Sequence, residues 1–480
     1  MSGDPKRQHY GLTLAVLATA ALSFALLQTM MAPALPAIQE EFGASNTAVT
    51  WVMTIYLLTA SIATPILGRL GDMYGKERVL VFVLITLGAG TLVSALSSSL
   101  GVLIAGRAVQ GAGGAIFPLA FGIIRDEFPP ERVGAGIGLI SATFGVGGGV
   151  GLVVAGVIVD HLDYTWIFWL ALLVIAGATV ATTLFVPESP FKAPARIDWG
   201  GAALMAAGLS AVLIGVSEGN GWGWTSPGVL GLMAFGLVLL AVWVRYEMRV
   251  TEPLVDMRMM RLRGVWTTNL TAMMAGFGMF GSFLLVPQLV QMPPEAGFGF
   301  DATVTQAGLF LLPSALIMLF AGPFSGWLGG RLGSRVPLLI GLGITMVGFL
   351  QLAAFHEERW HIYLNSFITG LGIGLAFAAT ITLIVEAVPY SQTGVATGMN
   401  TIMRTIGGAL GAQITASIVG ASVGATGLPA ESGYVWAFVV AGGALALALL
   451  AGLLVPRRIR PEPAPHGYRR LGEPARAGAR

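Results

Sequence analysis

The chain has 480 residues, of which 55% are hydrophobic and 10% are charged, and its mean hydropathy is +0.79. A soluble domain carries about 25% charged residues, and a net charge of +2 provides no basic surface for nucleic acid. The absence of cysteine excludes disulfides, iron–sulfur clusters and thiolate zinc sites. These numbers predict an all-α polytopic membrane protein.

Apolar stretches follow one another along the chain, and fourteen are long enough to cross a hydrocarbon core about 30 Å thick as helices. Lipid offers no partner to backbone N–H and C=O groups, so helix is the expected structure. The first stretch is too long for the apolar part of a signal peptide, and we expect an uncleaved anchor. The stretches are roughly 12–33, 47–67, 79–97, 100–124, 133–159, 165–186, 200–217, 227–246, 265–288, 304–327, 336–354, 361–385, 395–421 and 434–455.

Basic residues are concentrated in every second loop between these stretches. Of the 26 lysines and arginines, 23 fall in the terminal segments or in the loops on the same side as both termini. Arg359 alone falls on the opposite side, while Arg107 and Arg404 lie inside stretches. The positive-inside rule therefore predicts two cytoplasmic termini, in a multi-pass protein of the cell inner (plasma) membrane.

An internal repeat divides the chain. Gly68, Leu70, Gly71 and Gly75 recur as Gly326, Leu328, Gly329 and Gly333, 258 residues later. A second set, Asp126, Pro129, Gly134 and Gly138, corresponds at 260 residues to Glu386, Pro389, Gly394 and Gly398. Two parallel six-helix repeats place a substrate site near the membrane midplane, between the halves. We predict six-helix bundles over 1–190 and 264–456, two extra central helices in 191–263, and a disordered cytoplasmic tail over 457–480.

The loop after the second stretch reads Gly68-x-Leu70-Gly71-Asp72-x-x-Gly75-Lys76-x-Arg78. It resembles the cytoplasmic loop signature of the major facilitator superfamily, in its fourteen-span drug:proton antiporter branch. The resemblance implies two pseudo-symmetric bundles and places the Asp against a helix N-terminus of the other half, where the helix dipole favours it. Gly68, Asp72, Gly75 and Arg78 are the implied conformational switch. An ordinary solvated turn is the alternative.

Polar residues inside the stretches are the candidates for transport and coupling. Arg107-x-x-Gln110 and Asn400-x-x-x-Arg404 resemble further signatures of the family, and a guanidinium inside a membrane should face a cavity or a partner. For Arg107 the alternative is a structural clamp on backbone carbonyls. Gln28 stands where the branch often has an Asp.

The middle of the spans contains arginine but no Asp, Glu or His, which makes a strongly cationic substrate unexpected and favours a neutral or anionic lipophile. Proton coupling is implied by the resemblance alone. Candidate cavity residues are Met274, Phe277, Gln288 and Gln291, with helix packing as the alternative for the Met and the Phe.

The expected function is secondary active export of lipophilic, drug-like molecules by alternating access, with the proton as coupling ion, in a monomer embedded in the bilayer. No enzyme activity, cofactor, metal or nucleic-acid partner is expected. A nucleophile-elbow string at 215–219 and a dinucleotide-like string at 276–281 lie in apolar helices without the strands that they need. The alternatives are a lipid or metabolite translocase that opens to the bilayer and a non-transporting membrane sensor.

Overall fold

The fourteen predicted spans are all present as helices in a computed structural model, which describes residues 10–189, 192, 197–424 and 428–457. The regular structure of this described part is helical, apart from one isolated β-bridge between Val423 and Pro429. The all-α membrane fold is therefore confirmed. Residues 458–480 of the predicted tail lie outside the described residues.

The first half of the chain forms eight helices, of which α5 and α6 together make one span. They are α1 (Tyr10–Thr29), α2 (Met31–Phe42), α3 (Asn46–Tyr74), α4 (Lys76–Ala95), α5 (Leu100–Gln110), α6 (Ile116–Glu127), α7 (Pro130–His161) and α8 (Trp166–Phe185). A 3-10 turn over Gly111–Ala115 interrupts the predicted fourth span, where the sequence reads Gly-Ala-Gly-Gly-Ala.

Two further spans with two short helices form the middle of the chain, and six spans form the second half. The middle contains α9 (Trp199–Ser217), α10 (Gly219–Trp222), α11 (Pro227–Glu247) and α12 (Met257–Met260). The second half contains α13 (Arg263–Val290), α14 (Val304–Leu332), α15 (Arg335–Ala354), α16 (Arg359–Ala387), α17 (Thr393–Ala421) and α18 (Glu431–Leu454).

Short polar residues set where several of these helices begin. The side chain of Ser45 accepts a hydrogen bond from the backbone of residue 48, and Ser99, Asp198, Ser226 and Thr303 each accept one from the residue three positions ahead. Such caps satisfy N–H groups that the first turn leaves without a helical partner.

The repeat seen in the sequence extends to the helix boundaries. Helices α3 and α14 both have 29 residues and begin and end 258 residues apart. Each is followed by a glycine with positive φ, Gly75 at 110° and Gly333 at 88°, whose N–H donates to the carbonyl of Gly71 or Gly329. Only glycine adopts such a backbone at little cost, which explains why this loop recurs.

Both ends of the described chain lie at one end of the helix bundle, which we call the termini face. Tyr10 at the start of α1 packs on Phe128, and Arg263 at the start of α13 donates to the carbonyl of Leu454 at the end of α18. The opposite end, where α1 ends and α3 begins, is called the far face.

Three clusters of buried side chains hold the helices together. One cluster fills α1–α8 and a second fills α13–α18. The third packs Met205 and Leu209 of α9 and Trp243 of α11 against Met399 and Ile402 of α17. The two extra spans thus pack on α17 of the second half, and α9 also packs on α3 of the first half.

Candidate functional site

A cavity of about 240 Å³ lies between the two halves, on the side of the far face. The first half lines it with the end of α1, the start of α3 and the middle of α7, and the second half lines it with α13 and α17. Apolar and aromatic side chains dominate this surface, as expected for a small-molecule site. The lining includes Gln28, Met53, Tyr56, Leu57, Phe144, Leu152, Phe280, Leu284 and Ala412.

A smaller pocket of about 40 Å³ extends the cavity toward the termini face. The two spaces share four lining residues, namely Gln28, Leu57, Phe144 and Phe280. Beyond these, five polar residues of α3 and α17 line the deeper pocket together with five apolar or small ones. The polar residues are Ser61, Thr64, Thr401, Arg404 and Thr405, and the others are Phe24, Ala60, Gly114, Phe117 and Ile402.

Helices α3 and α17 close the space at the termini face through a pair of glycines. A Cβ atom added at Gly68 would lie 2.7 Å from the carbonyl oxygen of Gly394, and one added at Gly394 would lie 2.5 Å from the carbonyl oxygen of Gly68. Backbone therefore meets backbone at this seam, and no side chain larger than hydrogen fits without movement.

Helices α7 and α14 make a second seam of the same kind. An added Cβ at Gly138 or at Gly322 would lie 2.1 Å from the carbonyl oxygen of the other glycine. Gly134 and Gly326 approach each other one turn nearer the termini face. Small residues permit such close approach of helices in membranes. The α3–α17 seam and the α7–α14 seam together close the space between the halves at the termini face.

Asp72 reinforces the first seam electrostatically. Its carboxylate accepts hydrogen bonds from the backbone N–H of Gly394 at 3.0 Å and of Val395 at 3.2 Å, in the first turn of α17. A carboxylate at a helix N-terminus meets unsatisfied N–H groups and the positive end of the helix dipole. This is the type of contact that the family resemblance implied for Asp72.

Lys76 connects Asp72 to α6. Its ammonium lies 3.5 Å from a carboxylate oxygen of Asp72 and 2.6 Å from one of Asp126, and all three side chains are almost fully buried. Ser189 also donates to Asp126. The result is a buried row of alternating charges at the termini face.

Arg125, the residue before Asp126, bridges the halves directly. Its guanidinium donates to the carbonyl oxygens of Val388 at 2.6 Å and Pro389 at 3.0 Å, and to the hydroxyl of Thr393. It also lies over the ring of Tyr390 at 4.1 Å. The predicted switch did not include Arg125, Lys76 or Asp126. The ion pair of Lys76 with Asp126 and the hydrogen bonds of Arg125 join residues that are 50 or more positions apart in the sequence.

Arg78 does not join this cluster. It forms an ion pair with Glu188 at 2.9 Å on the surface, where its side chain is 62% exposed, and Lys192 also pairs with Glu188. The hydrogen bond from Lys192, with the charges of Lys192 and Arg78, lowers the pKa of Glu188. Of the four predicted switch residues, Gly68 and Asp72 contact α17, and Gly75 ends α3.

We expect Arg78→Ala to change the apparent melting temperature by no more than about 1 °C, because exposed ion pairs contribute about 0–1 kcal/mol. Thermal unfolding of the purified protein in detergent measures this. A drop as large as that of a buried variant would contradict the surface position of Arg78.

Arg107 has the geometry of the carbonyl clamp. Its side chain is fully buried and donates to the carbonyl of Val52 at 3.1 Å, to that of Leu27 at 3.5 Å and to Gln110 at 2.7 Å. Tyr56 covers the guanidinium at 3.9 Å and separates it from the cavity, which the same ring lines. Arg107 thus ties α5 to α1 and α3.

Arg404 differs from Arg107 in its surroundings. It lies at the deeper pocket, with its guanidinium 4.0 Å from the ring centre of Phe377 and 5.9 Å from that of Phe144. Asn400, one turn earlier on α17, is buried and donates to Asn269 at 2.8 Å.

The four predicted cavity residues lie away from the cavity lining that the structure describes. Gln288 and Gln291 are exposed, and Met274 packs against the core of the second half. The backbone of Phe277 fits against Gly411 of α17, which turns the face with Phe280 and Leu284 toward the cavity. The rotation of α13 is set by this glycine contact, which its own sequence does not reveal.

Comparison with known proteins supports one family. The sequence profile described as Major Facilitator Superfamily matches residues 17–412. Among curated proteins, the multidrug transporter protein MdtP of Bacillus subtilis is 28% identical over 83% of this chain and 73% of its own length. The tetracenomycin C resistance and export protein of Streptomyces glaucescens is 27% identical over 80% of this chain and 71% of its own.

Among solved structures, the crystal structure of the human organic anion transporter MFSD10 (TETRAN) superposes with a TM-score of 0.66. The similarity covers 94% of this chain and 100% of the human one, at 16% sequence identity. At this identity the likeness concerns the fold.

Proposed function

Since this chain belongs to the Major Facilitator Superfamily and is therefore a transporter and not an enzyme, we propose that it exports lipophilic, drug-like molecules by alternating access, with protons as the coupling ion. The observation that carries the proposal is the apolar cavity between the halves, which the two glycine seams close on one side. The names of the two bacterial relatives, a multidrug transporter and an antibiotic export protein, support the substrate class.

The sidedness of the proposal rests on charge. The termini face belongs to the side that carries 23 of the 26 basic residues, so the positive-inside rule places it in the cytoplasm of a bacterial-type plasma membrane. The described state is then closed to the cytoplasm, with its cavity toward the outside.

Alternating access requires both seams to separate while the helices remain intact. We assign the moving bodies to the bundles over 1–190 and 264–456. Residues 191–263 form the extra pair of helices between the two halves. Opening the cytoplasmic side would remove the hydrogen bonds from Gly394 and Val395 to Asp72. It would also remove those from Arg125 to the loop after α16 and to the start of α17. These contacts are the proposed switch.

The proton-motive force can drive such a cycle, since moving one charge through 100 mV is worth about 2.3 kcal/mol. The residues proposed for transport and coupling remain Gln28, Arg107, Gln110, Asn400 and Arg404. In inverted membrane vesicles, we expect an energised membrane to concentrate a lipophilic dye inside, and a protonophore to abolish the uptake. Vesicles from a strain without the protein provide the control. Folded protein that transports no compound of a chemically diverse panel would contradict the proposal.

Removing Arg107 should abolish dye transport. Arg107→Lys keeps the charge, but one ammonium cannot reach the carbonyls of Leu27 and Val52 together with Gln110. We therefore expect folded protein that transports at least about tenfold more slowly. A tenfold effect corresponds to the loss of a charge-assisted contact of about 1.4 kcal/mol. Dye flux and thermal unfolding are measured on the same preparation. Arg107→Lys protein with normal melting and normal flux would exclude a role for Arg107 in transport.

A further inference from the structure

Arg404 carries a buried positive charge for which the described residues supply no anion. Its side chain is 7% exposed, and its Nη1 atom has no hydrogen-bond partner. No carboxylate of the described residues lies within 4.0 Å of its guanidinium. The aromatic contact with Phe377 at 4.0 Å is the main stabilisation that the protein itself provides.

The comparison with Arg107 shows how unusual this is within the chain. Both guanidiniums lie in the interior, and each has one Nη atom without a hydrogen-bond partner. Arg107, however, donates through its other nitrogens to two backbone carbonyls and to Gln110, whereas no hydrogen bond from Arg404 to a described residue is found. A buried charge without such partners is costly, and in membrane proteins it marks a binding or conduction site. Arg404 therefore has unused capacity to bind an acceptor.

The position of Arg404 determines what that acceptor can be. It borders the deeper pocket, which shares Gln28, Phe144 and Phe280 with the main cavity, so a ligand in the cavity can reach it. Thr401, three residues before it on α17, and Thr405, the next residue, also line this pocket. Their hydroxyls donate to the carbonyls of Thr397 and Thr401, so the guanidinium of Arg404 is the donor that they leave for an anion. Polar groups therefore gather at one end of an otherwise apolar space.

We propose that Arg404 binds the anionic group of the transported molecule, and that the substrate class is an amphiphilic organic acid with one carboxylate on an apolar, aromatic body. The carboxylate accepts hydrogen bonds from the guanidinium, and the body lies against Phe144, Phe280 and Leu57 in the main cavity. This inference rests on the proposed export function, since it names the substrate of the same cavity.

The test is binding of two fluorescent probes to the full-length protein in nanodiscs. The probes are dansylglycine, which carries a carboxylate, and its methylamide, which has a nearly identical shape without the charge. We expect the wild type to bind the acid at least about tenfold more tightly than the amide, as for a charge-assisted hydrogen bond. Arg404→Gln should reduce that ratio to about one and leave amide binding nearly unchanged. Arg404→Lys should keep part of the preference.

A control variant separates local recognition from a general loss of charge. Arg331→Gln also removes one guanidinium, but Arg331 stacks on Trp327 at an exposed position, so the acid preference should persist. Thermal unfolding supplies a second readout: replacing an unpartnered charge should not lower the melting temperature of Arg404→Gln. A clear loss of stability with an unchanged acid-to-amide ratio would identify Arg404 as a structural clamp and overturn the inference.

Other results also decide against the inference. Equal binding of the two probes, or binding of neither, would overturn it. If neutral dyes are exported and acids are not preferred, the proposed function stands and the anion site is wrong. If folded protein binds the acid through Arg404 but transports nothing, the anion site stands and the export function is wrong.

Discussion

Lys76→Met should destabilise the protein by about 3–5 kcal/mol, the cost of breaking a buried ion pair by removing one partner. Lys76 is fully buried and lies between the carboxylates of Asp72 and Asp126. Methionine fills much of the same volume, so the loss is electrostatic and not a cavity effect. Two buried carboxylates would then face each other without the cation between them. Thermal unfolding in detergent and the yield of monodisperse protein measure the effect.

A second substitution tests the cause. The double variant Lys76→Met with Asp126→Leu removes both members of the ion pair between Lys76 and Asp126. We expect it to regain part of the stability that Lys76→Met loses, because apolar replacements of a buried ion pair can be nearly neutral. Asp72 keeps its hydrogen bonds from Gly394 and Val395 in this variant. If the double variant is less stable than Lys76→Met alone, the charge explanation is wrong.

Much of the fold could be predicted from sequence because lipid restricts the choices. Apolar length predicted fourteen helices, and all fourteen are found. The repeat of Gly68–Gly75 at Gly326–Gly333 predicted equivalent helices, and α3 and α14 have matching boundaries. The interruption at Gly111–Ala115 and the short helix α2 were not predicted, since local glycine and proline content affects helix geometry without changing apolar length.

The site was predictable only where a local motif determines a contact. Asp72 was identified from its loop, and it contacts α17. Lys76, the first residue of α4, belongs to the same motif, but its function as a bridge depends on Asp126, which the fold brings near from α6. Arg125 appeared in the sequence as one more basic loop residue, although it donates to the loop after α16. Long-range contacts of this kind leave no local pattern.

Side-chain direction in the cavity was the least predictable feature. Span composition suggested Met274 and Phe277 as lining residues, whereas Phe280 and Leu284 line the cavity. Gly407 and Gly411 of α17 receive the backbone of α13 at Met273 and Phe277, and these contacts fix its rotation. In α7, Leu152 also lines the cavity.

Gly68→Ala should shift the protein away from the state that is closed at the termini face. The added Cβ would lie 2.7 Å from the carbonyl oxygen of Gly394, and both residues lie in helices, α3 and α17, whose backbones cannot move apart locally. Overpacking of this type costs about 1–3 kcal/mol. It destabilises only the state in which the seam is closed. A differential cost of that size changes the population ratio about 5–150-fold.

The absence of cysteine from the chain allows this shift to be measured with single-cysteine reporters. Ala32→Cys reports from the main cavity and Thr64→Cys from the deeper pocket beside the seam. In Gly68→Ala protein, a membrane-impermeant maleimide should label residue 32 more slowly from the far face and residue 64 faster from the termini face. Both changes should reach at least about fivefold.

Gly343→Ala provides the matched control, because a Cβ added at this position of α15 meets nothing within 4 Å. Alanine is the better helix former, so this variant should fold at least as well as the wild type and keep its labelling rates. Slower labelling at residue 32 without faster labelling at residue 64 would indicate collapse of the cavity and not opening of the seam. Unchanged rates at both reporters would show that the contact between Gly68 and Gly394 does not hold the termini face closed.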